Sequence, residues 1–396
     1  MTDPGRVSDM NDIFDTIVCG GSLAGSAAAV TLARQGASVL VLDKAEFPRS
    51  KLCGGLLTWK TIQILNALFG ETPETLRREG IIRYVSDRYA IRSFTATLAE
   101  GSLSYPFHFT DRAELDNRLL YHVRRAGARV REGEEVSGCD PDSGEVILKD
   151  GRALRARYII GADGAHSTVR AAFPEVNLNA MRRLTAATIE VKILAGDFPE
   201  PVDRPILYVG FMEAGYGWVF PNGDHVLIGI CGLRRRDTHF AKLFRTYLDV
   251  LGVDPAVLSY QRGHPLPYGS FLHDPVHGNA LLAGDAGGYV EPLFGEGIFY
   301  ALSTGMYAGR AVARSLATGI DPGPEYLRDL HHTILPELRG SNTLRWFLFR
   351  VMKLFGPGSI RRFVKLGAGP LGDMVHGKRS YHWLKKKDWR FPQPGE

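Results

Sequence analysis

Phe14-Asp15-Thr16-Ile17-Val18-Cys19-Gly20-Gly21-Ser22-Leu23-Ala24-Gly25 joins a short apolar strand to a glycine-rich turn. Ser26-Ala27-Ala28-Ala29-Val30-Thr31-Leu32-Ala33-Arg34 follows, rich in small, helix-favouring residues, and Gly36 ends it. Val39 to Leu42 is a second apolar run, with Asp43 at its end. Strand, glycine turn, helix and strand in that order predict a βαβ nucleotide-binding unit. Gly20 lets the chain turn tightly, and Gly25 lets helix and strand approach. The first helical N–H groups then face outward, where they can hold a pyrophosphate. Ser22 stands at the second-glycine position, small enough to leave that approach open. Asp43 lies 23 positions after Gly20, where an acceptor for a ribose hydroxyl belongs. An unrelated α/β sheet could also use a glycine-rich turn, but it would not need the acid. The turn alone does not say which dinucleotide is bound.

The chain has 396 residues, with 44% apolar and 23% charged. This is the balance of a globular protein of two or three domains. The four cysteines, Cys19, Cys53, Cys139 and Cys231, include no CxxC pair. No histidine cluster has metal-ligand spacing, so neither a disulfide scaffold nor a metal site is expected. The first residues, polar and acidic up to Ile13, do not read as a signal peptide. No apolar run is long enough to span a membrane. A cytoplasmic protein is expected.

Charge is unevenly placed. From Arg339 to Arg390 there are 13 Lys or Arg against two Asp, a net of +11. The whole chain carries +5, which leaves −6 for the remainder. In Leu344-Arg-Trp-Phe-Leu-Phe-Arg-Val-Met-Lys-Leu-Phe355 the basic residues alternate with large apolar ones. Nucleic acid is therefore not the expected partner. A helix with a buried stripe and a basic solvent face fits, and so does peripheral contact with an anionic membrane at its cytoplasmic face.

Further along, Lys60 to Arg78 reads as helix, Ile81 to Phe109 as strands including Ser93 to Leu98, and Arg112 to Arg125 as helix. Ala186 to Cys231 is strand-rich, and Asn222-Gly223-Asp224 reads as a hairpin turn. Gly297 to Thr318 reads as a long helix that Pro322 and Pro324 close off. The expected architecture is α/β: a Rossmann-like nucleotide-binding domain interleaved with an antiparallel-sheet substrate domain, plus a helical, basic C-terminal region. The nucleotide-binding domain takes residues 12–80, 110–170 and 275–320. The substrate domain takes 81–109 and 171–274, and the C-terminal region 321–396.

Two later segments narrow the cofactor. Tyr158-Ile-Ile-Gly161-Ala-Asp163-Gly164-Ala-His166-Ser-Thr-Val-Arg170 and Ala283-Gly284-Asp285-Ala286-Gly-Gly-Tyr-Val-Glu291-Pro-Leu-Phe-Gly295-Glu296-Gly297-Ile298 each put an aspartate between small residues after an apolar strand. With the first turn they resemble FAD-dependent oxidoreductases of the para-hydroxybenzoate hydroxylase fold, over roughly Phe14 to Thr318. The resemblance implies FAD. It implies cofactor contacts at Gly20, Ser22, Ala24, Gly25, Asp43 and Lys44 in the first unit, and at Asp163, Gly164, Gly284 and Asp285 later. It adds Gly295, Gly297 and Ile298 around the ring. Arg112 matches a family arginine that reaches the cofactor, although an arginine at a helix start can also serve only a surface pair.

Phe47-Pro-Arg-Ser-Lys51-Leu52-Cys53-Gly54-Gly55 and Gly215-Tyr216-Gly217-Trp218-Val219-Phe220-Pro221 are similar to segments of the geranylgeranyl reductase family. The resemblance implies saturation of isolated double bonds in a polyprenyl lipid or isoprenoid chain by hydride from reduced flavin, with NADPH or a ferredoxin-like carrier as donor. It adds Lys51, Cys53 and Gly54 to the cofactor contacts and Cys53, Tyr216, Trp218 and Phe220 to the catalytic set. Tyr216, Trp218 and Phe220 alternate, so they share one face of a strand. That face is either an aromatic cavity wall or an ordinary sheet core. Cys53 is either a proton donor near the ring or a small packed hydrophobe. His166 reads as structural, while His264 and Glu296 could face the cavity. The rival readings are a flavin monooxygenase for a bulky apolar substrate, an electron-transfer or quinone oxidoreductase, and a non-catalytic lipid-binding flavoprotein.

Overall fold

The computed structural model describes residues 13–183, 185–212, 214–233, 239–258, 262–382, 385–387, 389 and 391. The reading of the first residues as no signal peptide lies outside them up to residue 12, as do Asp388 and Arg390 of the basic stretch. Two sheets organise the chain. In the first, strands Ala280–Leu282, Ala153–Gly161, Ile13–Cys19, Val39–Asp43 and Arg129–Glu132 run parallel in that spatial order. A hairpin of Val136–Asp140 and Glu145–Leu148 attaches antiparallel to Ala153–Gly161. Strand Ala153–Gly161 is thus central, pairing parallel with Ile13–Cys19 on one side.

In the second sheet the order is Arg262–Pro267, Thr185–Leu194, His225–Leu233, Gly215–Asn222, Ile206–Tyr208, Ile82–Arg92, Thr97–Thr110 and Leu56–Leu57. Its pairs are antiparallel except for Ile206–Tyr208 with Ile82–Arg92. The Rossmann-like region, the second sheet and the C-terminal helices match the α/β architecture expected. Two local expectations change. The helix over residues 60–78 is broken into Trp59–Phe69 and Pro73–Arg78, because Gly70 takes a left-handed conformation and Pro73 starts a new capped helix. Ser93 to Ala96 is a turn closed by the Ser93 hydroxyl and backbone, so the strand begins at Thr97.

Helix Leu23–Arg34 is buried from Leu23 through Val30. Helix Ile298–Thr318 crosses it at backbone contact. A β-carbon on Gly305 would lie 2.1 Å from the Ala24 carbonyl oxygen, and one on Gly309 would lie 2.7 Å from that of Ala28. The small residues that looked like mere helix formers in the sequence set this close approach. It brings the N-terminus of the first helix beside the Gly284–Ala286 turn. Helix Phe240–Val250 covers the far face of the second sheet through Phe244 and Tyr247. Helix Leu335–Phe355 and helix Arg361–Val375 follow, and Leu371 and Val375 line the interior cavity. Among the described residues, no helix is long and apolar enough to cross a membrane.

Candidate active site

A cavity lies between the two sheets. Ser22, Ala24, Arg112, Gly164, Gly284 and Asp285 line it, together with Lys51, Cys53, Gly54, Gly295, Gly297 and Ile298. Tyr216, Trp218 and Phe220 give it an aromatic wall, and Leu103, Leu207, Leu371 and Val375 add apolar surface. The sequence expectations thus converge from both ends of the chain. His264 and Glu296 also line this space, while His166 is exposed.

Gly20, Gly25, Asp43 and Asp163 stand behind the cavity wall. A β-carbon on Gly25 would lie 1.7 Å from the Gly20 carbonyl oxygen, and one on Gly20 would lie 2.4 Å from that of Ala162. No side chain fits at either position. Asp43 accepts hydrogen bonds from the N–H of Gly21 at 2.8 Å and of Ala45 at 2.9 Å, so its carboxylate holds the turn in shape. Lys44, next in sequence, is exposed. Asp163 accepts from the N–H of Thr168 at 2.7 Å and of Val169 at 3.2 Å at the start of the short helix Thr168–Ala171, which Ser167 caps. The other Asp163 oxygen is buried without a partner beside the cavity-lining Gly164.

Asp116 was missed in the sequence, although it sits one helical turn beyond Arg112. It is fully buried and accepts from Arg112 Nε at 2.8 Å and from Ser22 Oγ at 2.8 Å. Arg49 reaches it at 3.2 Å. Burial alone would raise its carboxyl, but the Arg112 guanidinium and Lys51 outweigh that and hold it below the usual carboxylate range. Burial and the neighbouring Arg112 lower the Lys51 ammonium in turn. Arg112 is therefore a buried, paired group aimed at the glycine turn and not a surface pair. Arg170 was also overlooked. It donates to the carbonyls of Ala286 at 2.8 Å and Ala165 at 2.5 Å, tying the two aspartate segments together.

The run at Lys51–Gly55 leaves the nucleotide-binding sheet and enters the second sheet directly, since Leu56 pairs with Phe109. Gly55 is left-handed at φ +66°, and a β-carbon there would lie 2.0 Å from the Thr110 carbonyl oxygen. A β-carbon on Gly54 would lie 2.8 Å from the Phe220 ring. The two glycines are required by contact with the second sheet. Strand Gly215–Asn222 is buried on both faces. Val219 and Gly217 meet the helix layer, with the Tyr247 ring 2.7 Å from where a Gly217 β-carbon would be, while the three aromatics face the cavity. The face bearing Tyr216, Trp218 and Phe220 thus lines the cavity, and the opposite face makes the sheet core.

The Tyr216 hydroxyl donates to the Phe294 carbonyl, and burial raises its ionisation well above the ordinary tyrosine range. Trp218 donates its indole N–H to Glu190 at 3.2 Å. Glu190 is the third residue missed. It is a buried acid on strand Thr185–Leu194, next to Val191 and on the same face as the buried Thr188, a placement that calls for a hydrogen-bond partner. Glu296 pairs with the buried Lys60 at 2.6 Å and accepts from Thr58 at 2.8 Å, so it fastens the Gly295–Gly297 loop to helix Trp59–Phe69. All four cysteines are free, and among the described residues no cluster of His, Cys, Asp or Glu could hold a metal ion.

A glycine turn without room for side chains, an unpartnered Asp163 oxygen and the Gly284 turn beside a helix N-terminus form a cradle suited to a dinucleotide. The family model of the FAD binding domain matches residues 14–321. The chain belongs to that family. It is an FAD-dependent oxidoreductase of the para-hydroxybenzoate hydroxylase fold. Over 96% of its length it is 30% identical to the menaquinone reductase of Mycolicibacterium smegmatis, covering 96% of that protein. It is also 30% identical to the geranylgeranyl diphosphate reductase of Rhodobacter capsulatus, over 77% of this chain and 76% of that one. Among solved structures, the geranylgeranyl bacteriochlorophyll reductase-like protein of Thermoplasma acidophilum shares the fold, with a TM-score of 0.77 at 18% identity over 94% of this chain and 98% of that one. In this FAD-binding enzyme the cavity joins residues of the nucleotide-binding turns to a mainly apolar, aromatic surface.

Proposed function

We propose that this flavoenzyme saturates isolated double bonds in a polyprenyl chain of the geranylgeranyl type, carried on a lipid, a quinone or a free isoprenoid. One observation carries the reading: the Lys51–Gly55 run lies in contact with an aromatic wall, so the cofactor-side residues and a mainly apolar, aromatic surface share one cavity. The names of the two relatives at 30% identity support it.

FAD, when reduced, supplies the hydride. The protein's part is to bind, shield and protonate. Tyr216, Trp218 and Phe220 present ring faces to the alkene, where they stabilise positive charge as it develops. Leu103, Leu207, Leu371 and Val375 line the same cavity and exclude water. Cys53 lies between the glycine turn and the aromatic wall, and its thiol is the proton source in this reading. Tyr216 is a poorer acid, because its hydroxyl is buried and already donates to a carbonyl. Cofactor contacts fall to Ser22, Ala24, Arg112, Gly164, Gly284 and Asp285, whose backbone Gly20, Gly25 and Asp163 hold in shape from behind. The donor is NADPH or a ferredoxin-like carrier.

A membrane-held substrate fits the outer helix. Trp346, Phe347, Leu354 and Phe355 are 42%, 57%, 62% and 74% exposed on helix Leu335–Phe355, which also carries Arg350 and Lys353. An exposed aromatic and basic helix face favours an anionic lipid surface.

Anaerobic photoreduction of the FAD-loaded protein, followed by addition of prenyl lipids, tests the reading. Flavin reoxidation with a lipid product heavier by two hydrogen atoms is the expected result. Reoxidation by oxygen alone, with a hydroxylated product, would overturn it.

A further inference from the structure

A second, smaller cavity lies on the other side of the Lys51–Cys53 segment from the aromatic wall. Its lining is mixed: Asp111, Glu190, Lys192, Thr110 and Asn222 bring polar groups to it, beside Val191 and Leu227. Lys51, Cys53 and Arg112 line both cavities, so the run is the partition between them. Asn222 is 2% exposed, and its Oδ1 is buried there without a hydrogen-bond partner. Such an atom, with Thr110, Asp111 and Glu190 lining the same space, is suited to hold a water. Glu190 stands at the partition, accepting from the Trp218 indole at 3.2 Å, with the Cys53 backbone N–H also stabilising its charged form.

We propose that this chamber is the proton inlet of the active site and that Glu190 passes the proton to Cys53. The inference rests on the alkene-reductase reading. In each cycle the Cys53 S–H bond breaks and its proton forms a C–H bond at the alkene carbon that does not receive the hydride. The thiolate then takes the proton of the Glu190 carboxyl, and chamber water restores it. Reduced FAD supplies the electron pair and the electron donor renews it, so one hydride and one proton are consumed for each double bond. Glu190 acts through Cys53 without touching substrate, as a positioning and relay group.

The surrounding charges suit a group that exchanges protons. Burial, with a smaller contribution from Asp111, pushes the Glu190 carboxyl up to about 7. The hydrogen bonds from Trp218 and Cys53 oppose this, as does Lys192. Lys192 is itself paired with Asp111 at 3.1 Å. Lys51 and Arg112 face the same chamber from the partition. A carboxyl that titrates near neutrality can both give and take a proton under working conditions.

The test uses the FAD-loaded full chain and Glu190→Gln. In the wild type the Trp218 indole N–H resonance, assigned by its loss in Trp218→Phe, should titrate with a midpoint of about 7. The alkylation rate of Cys53 should change over the same pH range, because the charge on the neighbouring Glu190 carboxyl is lost or gained there. Both features should vanish in Glu190→Gln. A flat indole resonance, or the same alkylation profile in both proteins, would overturn the proposal. These readouts need no prenyl substrate, so they fail or succeed apart from the reductase reading. With substrate, flavin reoxidation in Glu190→Gln should slow by about 100-fold and lose its neutral inflection. Glu190→Asp should restore part of the rate, and equal rates across the three proteins would also overturn it. If Glu190→Gln does not fold, the wild-type indole titration decides alone.

Discussion

A β-carbon on Gly54 would lie 2.8 Å from Cε2 of Phe220. The run that bears Cys53 and the strand that bears the aromatic wall therefore touch, and each fixes the position of the other. Gly54→Ala must push the Phe220 ring or the run itself. The expected outcome is a protein that keeps FAD but reoxidises it with prenyl substrate at least about 10-fold more slowly, since small misplacements cost catalysis heavily. Adding Phe220→Leu should recover part of the loss. Stopped-flow absorbance of the flavin reads both.

Asp116 anchors Arg112, Arg49 and Ser22 from inside the fold. Asp116→Ala leaves the Arg112 guanidinium buried and unpaired, and breaking a buried pair in this way costs about 3–5 kcal/mol. Denaturant unfolding should show that loss, and FAD affinity should fall with it. Asp116→Asn keeps acceptors in place but removes the charge, so it should lie between the wild type and the alanine variant.

The glycine turn and the two aspartate segments were legible because they are contiguous and dictated by backbone geometry. Gly25 has to be glycine whatever surrounds it, and that necessity shows in the sequence. The alternation of Tyr216, Trp218 and Phe220 was legible too, but not what each face of the strand meets. That depends on Tyr247, about 30 residues away and packed against Gly217. Asp116 and Glu190 were not read because their meaning is tertiary. An acid four residues after an arginine is common on helix surfaces, and only burial distinguishes this one. The helix break at Gly70 was visible as a glycine near a proline, and the long helical pattern masked it.

Acid should destabilise the fold through two buried imidazoles. Burial lowers His376 to about 3 and His108 to about 4 from the ordinary 6.5. Both are therefore neutral in the fold, with His376 Nδ1 accepting from the Trp59 N–H at 3.1 Å. The unfolded chain binds these protons first, so the stability they contribute is complete above about pH 6.5 and is lost as pH falls toward 4 and 3. For His108 the loss at pH 4 is on the order of 3 kcal/mol. His108→Phe should flatten the fall in melting temperature over that range, and an unchanged slope would show that other groups govern it.

Cys53 and Tyr216 are separable by paired substitutions. If the thiol supplies the proton, Cys53→Ser should bind FAD as the wild type does and reoxidise with prenyl substrate about 100-fold more slowly. Tyr216→Phe removes a hydroxyl that holds the Phe294 carbonyl, and so the loop before Gly295. Its cost is expected in stability, about 1 kcal/mol, and in the apparent affinity for substrate, with the pH profile unchanged. The two variants therefore differ in which kinetic quantity moves. A Tyr216→Phe protein that loses the rate while Cys53→Ser keeps it would exchange the roles assigned here, and would place the proton on the aromatic wall instead of on the partition that faces the second cavity.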